Sequence, residues 1–484
     1  MQTWYSLFMK KHWDFFTEKV MIGIIVVISI LARLFYLKIP FIINVADGAG
    51  YVAMADEAIK WHWASFFDNY IYRTPIYPFF IALNKIFFGN NFVYSVPLLQ
   101  HLFGVIMPVL IFFIGKKVFD KRVGFLAALL TGISAYSIYW EHNSMSDFFF
   151  TFITVISFYL FLRALLYDKK RDYILFGILF GLDLLTRPLF QFFIVTFPMI
   201  IYFFNNKPKE IFKRVLYILV PAIIIIAPWF YQNWVRHHYF GFTPFLGVQL
   251  MIRTQNYMNF DSPLRAKEKQ VYLQAMYEIG KCTPATIKDG TCSQVGVAGW
   301  AFLQQRLKYL PTEADRALLE IAKEAIMGNF SRYLRETVFQ MNNYLKAHPI
   351  EVFFGDIDLD AEFREQYAQK LYQGDFWTIW HQKMTWKMTI RIWKFVILAV
   401  IGMILAILKK NKKSFLFILV AIYIFSVTCA IEEGVVSRYR IPFDPYIFLF
   451  ASYTIFSIVD LVKFINKRIE ERVVIEKHSY KKKG

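Results

Sequence analysis

The chain alternates apolar blocks with short polar turns. Blocks at 21–37, 92–114, 123–139, 148–167, 173–185, 189–204 and 215–229 are followed by a long polar stretch at 231–384. Three more blocks come after it, at 392–408, 414–431 and 442–462. A helix needs roughly 20 apolar residues to cross a bilayer, because its backbone polar groups find no water there. The pattern predicts an all-α polytopic membrane protein with about ten transmembrane helices.

The polar stretch carries helix signals of its own. Ser262-Pro263 pairs a capping residue with proline at a first helical position, and Thr312 to Asp315 after Pro311 has the spacing of a capping box. This predicts a mostly helical domain at 231–385 rather than a linker. The remaining organisation is an N-terminal membrane module at 1–230 with a long loop at 38–91, C-terminal membrane helices at 386–462, and a basic tail at 463–484.

Charge sets the orientation. The net charge is +19, but charged residues are only 19% of the chain against 57% hydrophobic, and the cations cluster between blocks. Lys116-Lys117, Lys121-Arg122, Lys169-Lys170-Arg171, 207–214, 409–413 and 463–483 follow the positive-inside pattern, which assigns those turns and both termini to the cytoplasm. That distribution speaks against nucleic acid and for a multi-pass protein in contact with membrane lipids. The loop at 38–91 and the domain at 231–385 then lie on the outer face. The compact loops and the lack of eukaryotic retention signals point to a bacterial inner membrane. No cleavable signal peptide is evident in the sequence. Cys282 and Cys292 bracket an outer-face stretch where a disulfide is plausible in an oxidising compartment, while Cys429 reads as a core residue.

The loop at 38–91 holds the richest chemistry. Asp47-Gly48-Ala49-Gly50-Tyr51 opens a helical pattern in which Tyr51, Met54, Ala55, Ala58 and Trp61 share a face, as in an amphipathic helix lying in the membrane interface. By position alone Asp47 is a helix N-cap; the functional alternative is a general base at the membrane surface. Farther on stands Tyr72-Arg73-Thr74-Pro75-Ile76-Tyr77-Pro78. An acid after the first span, a Tyr four positions later and then R-x-P-x-Y-P resemble the first outer loop of GT-C glycosyltransferases. The closer likeness is to the branch of protein O-mannosyltransferases and the lipid A aminoarabinose transferase. Glu141 to Asp147, Leu185-Thr186-Arg187-Pro188, Pro228-Trp229 with Asn233, Gly241 to Gly247, 312–333 and Arg438-Tyr439-Arg440-Ile441-Pro442 resemble later landmarks of that family in the same order. Gln232 and Phe330 depart from its pattern.

The resemblance implies a GT-C fold and transfer of a sugar, with inversion, from a polyprenyl-phosphate donor to a glycan, lipid or protein acceptor on the outer face. It assigns Asp47 as the base. It makes Tyr51, Arg73, Glu141, Asp147, Arg187, Arg438 and Arg440 candidates for substrate binding, the arginines because a guanidinium can hold two phosphate oxygens at once. In some GT-C enzymes a second acid helps hold a divalent cation or the acceptor, so Glu141 and Asp147 have that reading beside one as solvated loop carboxylates. No metal site is assigned from the histidines His142, His237 and His238. The plain reading of the arginines is local pairing, Asp183 with Arg187 and Glu432 or Glu433 with Arg438. Tryptophans at span ends, Trp229 and Trp234 among them, read as an aromatic belt. The rival function is a transporter or lipid flippase, although its usual repeated halves are not evident. A third is a non-catalytic scaffold, in which Asp47 and the arginines would be freely replaceable.

Overall fold

The computed structural model describes residues 17–34, 47–205, 207–289, 292, 295–346, 392–431 and 437–481. Among them there are helices and turns and no β-strand. In chain order the helices are α1 (Glu18–Arg33), α2 (Asp47–Ile59), α3 (Trp63–Asp68), α4 (Ile76–Phe88), α5 (Phe92–Val118), α6 (Lys121–Gly132), α7 (Ala135–Glu141), α8 (Ser146–Tyr167), α9 (Lys170–Leu184), α10 (Phe197–Phe204) and α11 (Pro208–His237). Then follow α12 (Leu246–Thr254), α13 (Ala266–Glu278), α14 (Pro284–Asp289), α15 (Gly296–Leu307), α16 (Pro311–Gly328), α17 (Phe330–Lys346), α18 (Ile392–Leu408), α19 (Lys412–Ile431) and α20 (Asp444–Lys481). By length and composition, five helical stretches among the described residues are fit to cross a membrane: Ile76–Val118, Ser146–Tyr167, Pro208–His237, Lys412–Ile431 and Asp444–Arg472.

The described part of each apolar block is largely helical, with refinements the periodicity did not carry. The block at 123–139 breaks at Ile133, and Ser134 caps a fresh helix by accepting from the Ser137 amide. The block at 189–204 is two 3-10 turns followed by the short α10. The face expected on α2 buries Met54, Ala55 and Ala58, but the helix stops at Ile59 and Trp61 is 75% exposed with a positive φ.

Two large cores divide the described residues, beside a small third cluster of Met21, Ile25, Phe112 and Ala128. The larger belongs to the membrane helices and is filled with aromatic rings, such as Phe161 stacked on Phe176 at 4.4 Å. The smaller lies at 248–322, where α12, α13, α15 and α16 bury Val248, Met251, Tyr272, Leu303, Leu318 and Ile321. Cys282 and Cys292 form a disulfide at its edge. Both expected helix starts in this region shift. Pro311 takes the first position of α16, so the cap falls on Leu310, whose amide donates to Glu313 at 2.8 Å. Thr312 and Asp315 then sit inside the helix. Ser262 instead bonds Glu324, and α13 begins only after Arg265, which has a positive φ.

The basic turns gather at one end of the bundle. Lys116 pairs with Glu18, Arg122 with Asp460, and Arg214 with Asp168, while Asn411 donates to the Val118 carbonyl. The loop helices α2–α4 and the Leu185–Pro188 turn are at the other end.

Candidate active site

A cavity of about 600 Å³ opens at the end of the bundle away from the basic turns, between the membrane helices and the smaller core. Both kinds of structure line it. Asp47, Tyr51, Tyr72, Arg73 and Arg187 face it from the membrane module, and Phe242, Thr243, Phe245, Leu246, Gln249, Val297 and Trp300 from 242–300. The end of α19 adds Val427, Thr428 and Ile431, and Tyr439 follows from the next turn.

Local chemistry explains how one cavity gathers residues 140 positions apart. Asp47 is the first residue of α2 and receives a hydrogen bond from Arg73 Nη2 at 3.2 Å. Arg73 lies against the ring faces of Tyr51 and Tyr72, 4.5 and 5.1 Å from their centroids, where the negative π-face favours a cation. Burial disfavours its charge, but Tyr51, Asp47 and Tyr72 outweigh that, and its pKa stands raised. Its Nε is buried without a partner. Gly50 leaves room for the guanidinium at this distance: a Cβ there would meet Nη2 at 2.9 Å and Nε at 3.0 Å, and the arginine would have to shift. The spacing of Asp47, Gly50 and Tyr51 thus encodes a seat for Arg73.

The next residue ties this seat to the second arginine. Thr74 Oγ1 donates to the Thr186 carbonyl at 2.7 Å, and the Ile76 amide donates to Leu185 at 3.2 Å. These bonds staple the Arg73 turn to the Arg187 turn. Arg187 pairs with Asp147 and lies over the Tyr439 ring at 5.0 Å. Asp147 is almost wholly buried at the start of α8, beside Ser146, whose hydroxyl hydrogen-bonds Tyr51 at 3.1 Å. A closed circuit results, running Asp47, Arg73, Thr74, Thr186, Arg187, Asp147, Ser146, Tyr51. It presents one half-exposed carboxylate and two braced guanidinium groups to a common space.

Several expected contacts are corrected. The partner of Arg187 is Asp147, not Asp183, which instead accepts from Thr154 at 2.9 Å. Glu141 is neither solvated nor among the residues lining the cavity. It is fully buried, held by Arg33 Nε at 2.7 Å and Nη2 at 2.6 Å and by His101 at 2.7 Å. Arg440 is buried too, donating to Asp444 at 3.0 Å over the Tyr136 ring, and it does not line the cavity. In that strand of sequence Tyr439 faces the cavity instead. The side chain of Arg438, and its suggested partners Glu432 and Glu433, lie outside the described residues. Trp229 is not part of a belt: it is buried, and its indole N–H donates to the Phe242 carbonyl at 2.7 Å, while Asn233 donates to Gly241 at 2.9 Å. Together they hold the Gly241–Thr243 turn against the cavity. Among the described residues, no cluster of three or more His, Cys, Asp or Glu could hold a metal. Among the described lining residues the cavity offers one carboxylate, Asp47, already paired with the Arg73 guanidinium.

Arg33 was legible but passed over. It is a cation at the end of a span opposite the basic turns, where an ionisable residue needs a partner. Removing one member of such a buried pair costs about 3–5 kcal/mol. Glu141→Gln should therefore lower the thermal midpoint of the purified protein and leave carrier-lipid affinity of the folded fraction unchanged. A normal midpoint with lost affinity would return Glu141 to the substrate.

The wall at 246–249 depends on Asp315. Its Oδ1 accepts the Val248 amide at 3.0 Å, at the start of α12. Gly247 packs so closely on α16 that a Cβ would lie 2.0 Å from the Asp315 carbonyl oxygen. At the far end of α12, Arg253 donates to the carbonyls of Cys429 and Ala430 at 2.7 and 2.6 Å, fastening the last turn of α19. Burial raises the Asp315 carboxyl from 3.8 to about 6, against the lowering effect of the Val248 and Gly247 amides. The folded chain then holds this proton more tightly than the unfolded chain, so stability falls as pH rises from about 4 to 6 and stays lower above. Asp315→Asn keeps a carbonyl for Val248. It should stabilise the protein at pH 8, by up to about 3 kcal/mol, and make little difference near pH 4. Thermal unfolding at the two pH values tests this; an equal shift at both would contradict it.

Residues 72–232 match the family model described as dolichyl-phosphate-mannose-protein mannosyltransferase. Among solved structures, the chain is similar to the Archaeoglobus fulgidus oligosaccharyltransferase AglB in complex with an inhibitory peptide and a dolichol-phosphate. The two share 13% identity with a TM-score of 0.48, over 96% of this chain and 52% of that one. It is also similar to ArnT from Cupriavidus metallidurans bound to undecaprenyl phosphate, at 13% identity and a TM-score of 0.39, over 91% of this chain and 78% of that one. The chain spans about half the length of the archaeal protein. No curated protein matches it.

Proposed function

We propose that this chain, a multi-pass membrane protein of the GT-C superfamily, transfers a sugar from a polyprenyl-phosphate donor to an acceptor hydroxyl at the outer face of a bacterial inner membrane. The observation that carries the reading is the pairing in one cavity of an accessible carboxylate, Asp47, with two braced guanidinium groups, Arg73 and Arg187. In this mechanism the acceptor oxygen bonds to the anomeric carbon from the face opposite the phosphate. The carbon–oxygen bond to the phosphate breaks, and the electron pair leaves with it, inverting the centre. The acceptor proton passes to Asp47. Arg187 and Arg73 take up the charge that grows on the leaving phosphate, where fixed donors in a site shielded from water act most strongly. Tyr51 orients Arg73, and Asp147 orients Arg187. Arg440, paired with Asp444, takes no part in this arrangement.

Sidedness follows from the basic turns, which assign that end and both termini to the cytoplasm. The Cys282–Cys292 disulfide fits the opposite, oxidising compartment. The stretch at 231–385 is then an outer domain, whose residues 242–300 wall the cavity, and the stretch at 386–462 supplies C-terminal membrane helices.

The test is reconstitution of the purified protein in proteoliposomes with a polyprenyl-phosphate sugar and a panel of glycan, lipid and peptide acceptors. Transfer at the outer leaflet with inversion is expected. Movement of the lipid between leaflets without transfer would overturn the reading in favour of a flippase.

A further inference from the structure

The cavity has two chemically different ends. Only three of its described lining residues carry formal charge, Asp47, Arg73 and Arg187, and all three belong to the membrane module. The wall contributed by residues 242–300 is uncharged, with the rings of Phe245 and Trp300 packed edge to face at 6.0 Å and Tyr72 against both. The indole N–H of Trp300 is spent on the Pro311 carbonyl, which fixes the ring. Beside these rings, the amides of Gln249 and Gln191 and the hydroxyls of Thr243 and Thr428 line the cavity. None of these four side chains bonds to another described residue.

We infer that the transferred sugar is uncharged, read by the Gln249 amide against the Trp300 and Tyr72 rings. The inference rests on the function proposed above, because that function occupies every charge among the described lining residues. Among the described lining residues a sugar ammonium could pair only with Asp47, and would neutralise the base. A sugar carboxylate would have to pair with Arg73 or Arg187 and would compete with the leaving phosphate. An unpaired charge in a partly enclosed site is costly, whereas hydroxyls exchange donor and acceptor roles with amides and other hydroxyls. Rings beside such groups suit a body with apolar C–H faces and a polar rim.

The experiment measures binding to the full chain in nanodiscs of four lipids with one carrier: bare polyprenyl phosphate, and the same carrier bearing a neutral hexose, a 4-amino-4-deoxy pentose or a hexuronic acid. Bare carrier serves as the reference. The neutral glycolipid should bind at least about tenfold tighter than either charged one, the size of one hydrogen bond made well against one left unmade. Gln249→Leu should remove most of that advantage while bare-carrier binding persists. Gln249→Glu should shift preference about tenfold toward the amino sugar. If a charged glycolipid binds as well as or better than the neutral one in the unmodified chain, the inference is overturned while the proposed function stands. The same holds if Gln249→Leu leaves the preference intact. If bare carrier does not bind at all, the proposed function fails, and this inference with it.

Discussion

Asp47→Asn should lower the rate of sugar transfer by about 10²–10⁴-fold, the usual contribution of a positioned base, with little change in affinity for the polyprenyl-phosphate donor. The substitution is nearly isosteric. Its carbonyl can still accept from Arg73 Nη2, so the seat formed by Gly50, Tyr51 and Tyr72 is preserved. What is lost is the capacity to take the acceptor proton. Loss of rate with retained binding separates a base from a binding group, because an interaction made only in the transition state lowers kcat without raising KM. As a mere helix-terminal residue, Asp47 would give the opposite result: full activity and a small loss of stability, since Asn is as good a cap as Asp.

The second large effect belongs to Arg187. Arg187→Gln should cost about 10²–10³-fold in kcat/KM, comparable to loss of one preorganised donor to a developing oxyanion. The single change also strands Asp147, which is buried and paired with Arg187. The double variant Arg187→Gln/Asp147→Asn removes both charges and so avoids that penalty. If Arg187 holds phosphate, the double variant recovers stability but not activity. If the pair is purely structural, both return together. Arg187→Lys should rescue little, because an ammonium cannot lie flat over the Tyr439 ring and present two donors at once.

Much of this arrangement could be read from residue order. The membrane helices followed from block length, since the bilayer imposes one solution on the backbone. Arg187 stood out because the charge pattern gives no reason for a cation at an outer span end, whereas Asp47, by position a helix cap, and Arg73 stood out through the resemblance of their loop to a known family. What stayed hidden depended on pairing across long separations. Nothing local tells that Arg33 and Glu141, 108 positions apart, bury each other's charge, or that Arg187 prefers Asp147 to the nearer Asp183. Glu141 and Arg440 were placed with the substrate for that reason. The outer wall was harder still. Gln249 and Trp300 are chemically ordinary, and they reach the cavity only through the packing of α12 on α16 at Gly247 and the hold of Arg253 on the end of α19. At the helix starts the error was one of competition. Pro311 claimed the first position of its helix and moved the cap to Leu310, which released Asp315 to cap a neighbour.

An experimental structure of the full chain with polyprenyl phosphate bound tests the central claim most directly. The phosphate should lie within hydrogen-bond distance of the Arg187 and Arg73 guanidinium groups, with Asp47 facing the site where the anomeric carbon would stand. A phosphate bound at the basic end of the bundle, or at the cavity mouth touching neither guanidinium, would contradict it.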